Sequence, residues 1–331
     1  MEETKRDQRQ KQLELRTLDR IHKETLTLLE TRTADLHDAQ VYLTKTDYVS
    51  DAEVVAMVEQ LNAKIFQAAS HIADSIDFES VVQHSIPQAT EKATERATAL
   101  VGEALVGYLQ LARHRDDSFC LQLALQAGMV AFSSWIATTW TFVQDKGKVT
   151  FDRVYAQMRS SESQTVAGRW RILARQHARR VLYEDDEVTP YLTKCLARRI
   201  VDIFAVSGLQ FEGAEDASRT FVSTTHGDRL KSLVESCLQL RRIMGEEVIS
   251  GDFETIVVAP GEKFDEAHST DGYANLEDDS PSAMDRQVLC TTAMGLQRVV
   301  QVGNTDTEYA LHTTILLKPT VALETLGPEL C

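Results

Sequence analysis

Helix breakers are scarce in this chain. Its 331 residues include only 15 glycines and 6 prolines, so few positions force a helix to end and long helices are expected. Cysteine is scarce as well. The five, at 120, 195, 237, 290 and 331, lie far apart and never form Cys-x-x-Cys, which argues against a disulfide framework or a zinc ribbon. Together with the lack of any Asn-x-Ser/Thr sequence and of an apolar core in the charged first twenty residues, this points to an intracellular protein, cytoplasmic or nuclear. Cys331 is the last residue rather than the fourth from the end, so it forms no prenylation box.

The chemistry-bearing motifs are missing too. Neither a P-loop nor a dinucleotide fingerprint occurs, so nucleotide chemistry has no support. The nine histidines show no His-x-x-x-His spacing, and no metal or other cofactor is expected. Arg113-His114-Arg115-Asp116 has the order of a kinase catalytic loop, but without a Gly-rich loop or Asp-Phe-Gly it reads as a helix terminus. Thr225-His226-Gly227-Asp228 reads as a helix start rather than a catalytic pair. No residue is assigned a catalytic role, and enzyme activity is left open, with a non-enzymatic protein favoured. A site gathered from separate helices around the uncharged segment described below would leave no local motif.

What is present is helix grammar. Residues 1–46 contain no Gly or Pro and place Leu15, His22, Leu29, Leu36 and Leu43 seven apart, with Leu18, Thr25, Arg32 and Ala39 at the alternating position. This is half of a coiled-coil seam. A helix of that length extends about 65 Å and calls for a partner, either a second copy or another coiled-coil protein; the alternative is that it folds back on the body. Ser50 and Glu53 form a capping box before an apolar stripe of Val54, Val58, Leu61, Ile65, Ala69, Ile72 and Ile76. A third helix is expected from Pro87 to Arg113. Residues 118–144 are free of charge and long enough to span a bilayer. Eight hydrogen-bonding side chains between Gln122 and Gln144 favour a buried core helix instead.

Further helices are expected from a cap at Thr150, over 164–183, from Thr189-Pro190 to Gly208, and over 228–248. After Gly251 the pattern turns to strands, at 253–259 and as a hairpin of 296–302 with 309–317. Between them lies an acidic stretch. Residues 246–285 hold 12 acidic side chains against Lys263 alone and supply most of the net charge of −15. Residues 261–285 are expected to be a mobile loop, and Ser280-Pro281 within it is too common a pair to mark a modification site.

The expected architecture is therefore mainly α: a coiled-coil arm over 1–46, a helical domain over 50–249 and a small β-containing region over 250–331. Helix 164–183 sets Arg171, Arg175 and Arg179 four apart. As an exposed stripe they would suit an anionic partner, nucleic acid included; as a solvated flank they would pair with Glu184, Glu187 or the acidic loop. The acidic overall charge favours the flank.

The run Leu36-His37-Asp38-Ala39-Gln40-Val41-Tyr42-Leu43, with Val288-Leu289-Cys290-Thr291-Thr292 and Leu316-Leu317-Lys318-Pro319, resembles uncharacterised helical proteins of mushroom-forming fungi. The resemblance implies a fungal source and carries over no activity and no site residue. The function expected from the residues is that of an interaction or scaffold protein associating through Leu15, Leu29, Leu36 and Leu43, most simply as a dimer. A nucleic-acid-associated factor using Arg171, Arg175 and Arg179 is the alternative.

Overall fold

In the absence of glycine and proline, the N-terminal stretch forms one uninterrupted helix, α1 (Glu2–Leu43). The computed structural model describes residues 2–43, 47–78, 81–83, 91–142, 147–182, 185–211, 216–274, 286–302 and 310–330. The chain divides into two compact units, Met1–Lys45 and Thr46–Cys331. The expected coiled-coil residue Leu43 closes α1, and its side chain lies outside the described residues.

The second unit is mainly helical with a smaller C-terminal β part. It opens with α2 (Asp51–Asp74), whose start is fixed by the expected capping box. The Ser50 hydroxyl accepts from the Glu53 N–H at 3.3 Å, and the Glu53 carboxylate accepts from the Ser50 N–H at 2.8 Å. All seven members of the expected apolar stripe are buried. The expected third helix is two helices, α3 (Glu91–Val101) and α4 (Glu103–Leu111), and Pro87 lies outside the described residues. The break is Gly102 at φ +92°, where an added Cβ would also sit 2.6 Å from the Pro260 Cβ. Both the backbone and the space therefore demand glycine. Gly102→Ala should destabilise this unit by about 1–3 kcal/mol from backbone strain alone, as measured by urea unfolding.

The uncharged segment is α5 (Phe119–Thr138). Among the described residues it is the one helix long and apolar enough to cross a membrane, and 72% of its apolar window is buried within the protein. It packs against α2, α3, α8 (Asp185–Val206) and α9 (Ala217–Arg242), and against strand β5 (Val288–Ala293). Two of its polar side chains find partners there: Gln126 donates to the Thr292 carbonyl at 2.8 Å, and the Ser134 and Thr255 hydroxyls meet at 2.7 Å. Two helices, α6 (Gly147–Ser161) and α7 (Gln164–Leu182), cover the C-terminal end of α5.

Several boundaries differ from expectation. α6 begins before Thr150, which lies in its first turn. α8 begins at Asp185 and contains Pro190 rather than starting there. α9 begins eleven residues earlier than expected, so His226 is inside it rather than at its start. It ends in a π-helical turn, Ile243–Glu247. A short antiparallel pair, β1 (Val81–Gln83) with β2 (Leu209–Phe211), carries no alternation long enough to read from sequence.

The C-terminal part has two three-stranded sheets. One is β3 (Asp252–Ile256), β6 (Gly295–Val302) and β7 (Ala310–Leu317), all antiparallel; it contains the expected hairpin, whose turn lies outside the described residues. The β6–β7 register slips by one residue at Leu316 of β7, and along β6 Val299 is buried where Arg298 and Val300 are half-buried. The other sheet has β8 (Thr320–Leu323) between β5 and β4 (Thr270–Asp271). Part of the expected acidic loop is thus held in place, with the Thr270 N–H donating to Pro319 at 2.9 Å and the Gly272 N–H to Val321 at 2.9 Å. Residues 275–285, Ser280 included, lie outside the described residues. Phe253, Leu289, Met294, Leu296 and Ala322 share one buried core with the helices. The change at 250 is therefore one of secondary structure within one core.

Candidate functional site

Two features of the chain can make contacts with something else. One is α1. Its Leu15, Leu18, Ile21, Leu26, Leu28, Leu29 and Leu36 are all exposed, Leu29 at 62% and Leu36 at 59%. The Arg20–Glu24 ion pair, at 2.9 Å, lies on the side of the helix away from Leu15, Leu29 and Leu36.

The second is a pocket built on the arginines of α7. The expected surface stripe is turned inward: Arg171 is 4% and Arg175 8% exposed, whereas Leu173 and Val181 on the same helix are 42% and 81% exposed. Gly168 explains the orientation. A Cβ there would lie 2.7 Å from the Ile249 carbonyl oxygen, so α7 presses its glycine against the segment that follows the π-turn. Arg171 and Arg175, three and seven residues on, share that face. They are tolerated inside because unpaired acceptors await them. Arg171 donates to the Val248 carbonyl, to the Gly251 carbonyl at 3.3 Å and to the Tyr155 hydroxyl at 3.1 Å, and it forms an ion pair with buried Asp252. Arg175 donates to the Thr138 carbonyl at 2.9 Å, at the end of α5, and stacks on Trp140 with its guanidinium carbon 4.7 Å from the ring centre. Arg241 supports the same helix end through the Trp140 carbonyl at 2.9 Å.

These groups line a cavity of about 350 Å³. Its floor is Arg171, Arg175, Trp140, Tyr155 and Asp252, all buried; Thr138 and Asp152 at its edge are exposed. Arg159 reaches across, with Nε 3.2 Å from Asp252 and Nη1 2.9 Å from Glu254. Glu254 also accepts from Gln297 at 2.9 Å. Burial, then the neighbouring Arg241 and Arg171, pull the Arg175 guanidinium down to about 9, still cationic at neutral pH. Burial pushes the Tyr155 hydroxyl up against the opposing pull of Arg171, so the phenol stays protonated and donates to Asp252. Arg179 is not part of this site. It faces Glu246 at 3.6 Å and lines a separate cavity of about 270 Å³.

The expectation for the three arginines is corrected accordingly. Two of the three are buried, so they form no exposed stripe for a polyanion: Arg171 pairs with Asp252 and backbone carbonyls, and Arg175 donates to backbone carbonyls, rather than to the acidic loop. A sequence signal existed in Gly168 spaced three and seven before the arginines. Trp140, Tyr155, Asp152 and Asp252 had no local motif because they come from different elements.

The histidines form no metal cluster with acidic or cysteine residues among the described residues. His114 ends the turn after α4, with its ring nitrogen 2.8 Å from the Leu109 carbonyl. His226 is 1% exposed, 3.0 Å from the Ser75 hydroxyl and edge-on to His71. Burial, then His71 and Arg229, pull it down to about 4, against about 6.5 in an unfolded chain. The folded state then binds fewer protons between these values, so this contribution to stability is full above about pH 6.5 and is lost as pH falls toward 4. Unfolding temperature should decline from pH 7 to 5, and the slope should shrink in His226→Gln; an unchanged slope would place the titration elsewhere.

No family model, curated protein or solved structure matches the chain, so function rests on its own residues.

Proposed function

We propose that the chain is an interaction protein that self-associates through α1. The observation that carries this is the row of exposed leucines on a 42-residue helix that forms a unit by itself. In proteins most helical stability comes from packing an apolar face rather than from intrinsic propensity. Leu15, Leu18, Leu26, Leu29 and Leu36, left in solvent on one side of the helix, are that face without its partner.

The seam is better than strict heptads suggest. Leu15, Leu18, His22, Leu26, Leu29, Thr33 and Leu36 follow steps of three and four with one additional step of four at His22–Leu26. At 3.6 residues per turn they cover an arc of about 80°. An inserted step of four is a stutter, which locally unwinds a left-handed supercoil. It takes Leu26 and Thr33 into the seam in place of Thr25 and Arg32. The Thr33 hydroxyl, within the seam, is satisfied by donating to the Leu29 carbonyl at 2.8 Å, as Thr25 outside it donates to Ile21 at 2.7 Å.

The test is the helicity of a peptide spanning residues 1–45, followed by circular dichroism over a wide concentration range. Self-association predicts helicity that rises with concentration. Low helicity at every concentration would leave α1 without a second copy as its partner and would overturn the proposal.

A further inference from the structure

We infer that the cavity at the C-terminal end of α5 is a binding site for a small zwitterion, with a carboxylate at one end and an ammonium at the other. The charges around it are paired with two exceptions. Asp252 is matched by Arg171 and Arg159, and Glu254 by Arg159. Arg175 faces no carboxylate within ion-pair distance among the described residues, and Asp152 has no hydrogen bond or ion pair there. One uncompensated cation is thus in the floor, and one uncompensated anion is at the exposed edge. The Nε–H groups of Arg171 and Arg175 are buried without an acceptor, and buried donors left unmatched are costly unless something meets them.

The wall is made for this arrangement. It includes Met244 and Gly245 of the π-turn, a deformation that recurs at functional sites. A side chain at 245 would put its Cβ 2.6 Å from the Arg175 Cδ, so glycine is what lets the arginine lie there. Trp140 and Tyr155 form a packed wall, because Phe151 and the Arg175 guanidinium cover Trp140 and Trp170 stacks on Tyr155, so the cavity meets a ligand chiefly with charge. The same charges exclude other ligands. A phosphate dianion would meet one guanidinium without a carboxylate partner and the repulsion of Asp152, and a nucleic acid would need a row of such guanidiniums. The site lies wholly within Thr46–Cys331, so it stands independently of self-association by α1.

The experiment is ligand-observed NMR on the full chain with four probes: 4-(aminomethyl)benzoate, benzoate, benzylamine and phenyl phosphate. The zwitterion should bind with Kd on the order of 1 mM or tighter, as expected of a fragment of this size, with benzoate weaker and phenyl phosphate weakest. Arg175→Gln should weaken the zwitterion and benzoate at least tenfold. Asp152→Asn, at an exposed position that leaves the fold intact, should bring the zwitterion down to the affinity of benzoate and leave benzoate unchanged. The second variant decides the matter if the first does not fold. Tighter binding of phenyl phosphate, equal binding of the zwitterion and benzoate, or no binding of any probe would overturn the assignment.

Discussion

Arg171→Met should cost the second unit about 3–5 kcal/mol, the penalty for leaving one member of a buried ion pair without the other. For a domain of this size that lowers the unfolding temperature by about 10 °C. The side chain is 4% exposed, so solvent does not screen the loss. Methionine fills similar space yet abandons the Asp252 carboxylate, the Tyr155 hydroxyl and the carbonyls of Val248 and Gly251 together. Asp252→Asn should be costly for the converse reason. The double variant should lose clearly less than the sum of the two, because replacing both partners removes the uncompensated charge. Additive losses in urea unfolding would show that the pair is not coupled. The strength of the effect follows from position: Arg171 ties α6, α7, the turn after the π-helix and strand β3 at a single point.

Leu29→Glu with Leu36→Glu is the second large effect, and it falls on association rather than on folding. Each buried leucine contributes about 1.5–3 kcal/mol, and a symmetric pair of helices loses four of them. A loss of about 6 kcal/mol or more raises Kd by over four powers of ten. The second unit should be untouched, with its own unfolding transition unchanged. Leu29→Ala alone should give a smaller shift in the same direction.

Much of the helical body was legible because it rests on local rules. The capping box at Ser50 and Glu53, the stripe of α2 and the buried, uncharged α5 all follow from spacing that a few residues settle. Boundaries failed where the third dimension overrides local preference. Gly102 splits one expected helix through contact with Pro260, 158 residues away in sequence, and Pro190 is carried inside α8. Along β6 it is Val299 that is buried rather than Arg298 or Val300, which alternation alone does not reveal. The arginine pocket was the largest departure. On a helix by itself, arginines four apart look like a wet face. Here Gly168 brings α7 close to Ile249, while unpaired carbonyls and Asp252 supply what buried guanidiniums need. Those partners are up to 81 residues distant, from Arg171 to Asp252, and no helical period encodes them.

Light scattering on the full chain and on residues 46–331 separates self-association through α1 from its absence. The full chain should have twice the 37.1 kDa chain mass, and residues 46–331 should be a folded monomer. A full-length chain that remains monomeric across the concentration range, or a shortened chain that still dimerises, would contradict self-association through α1.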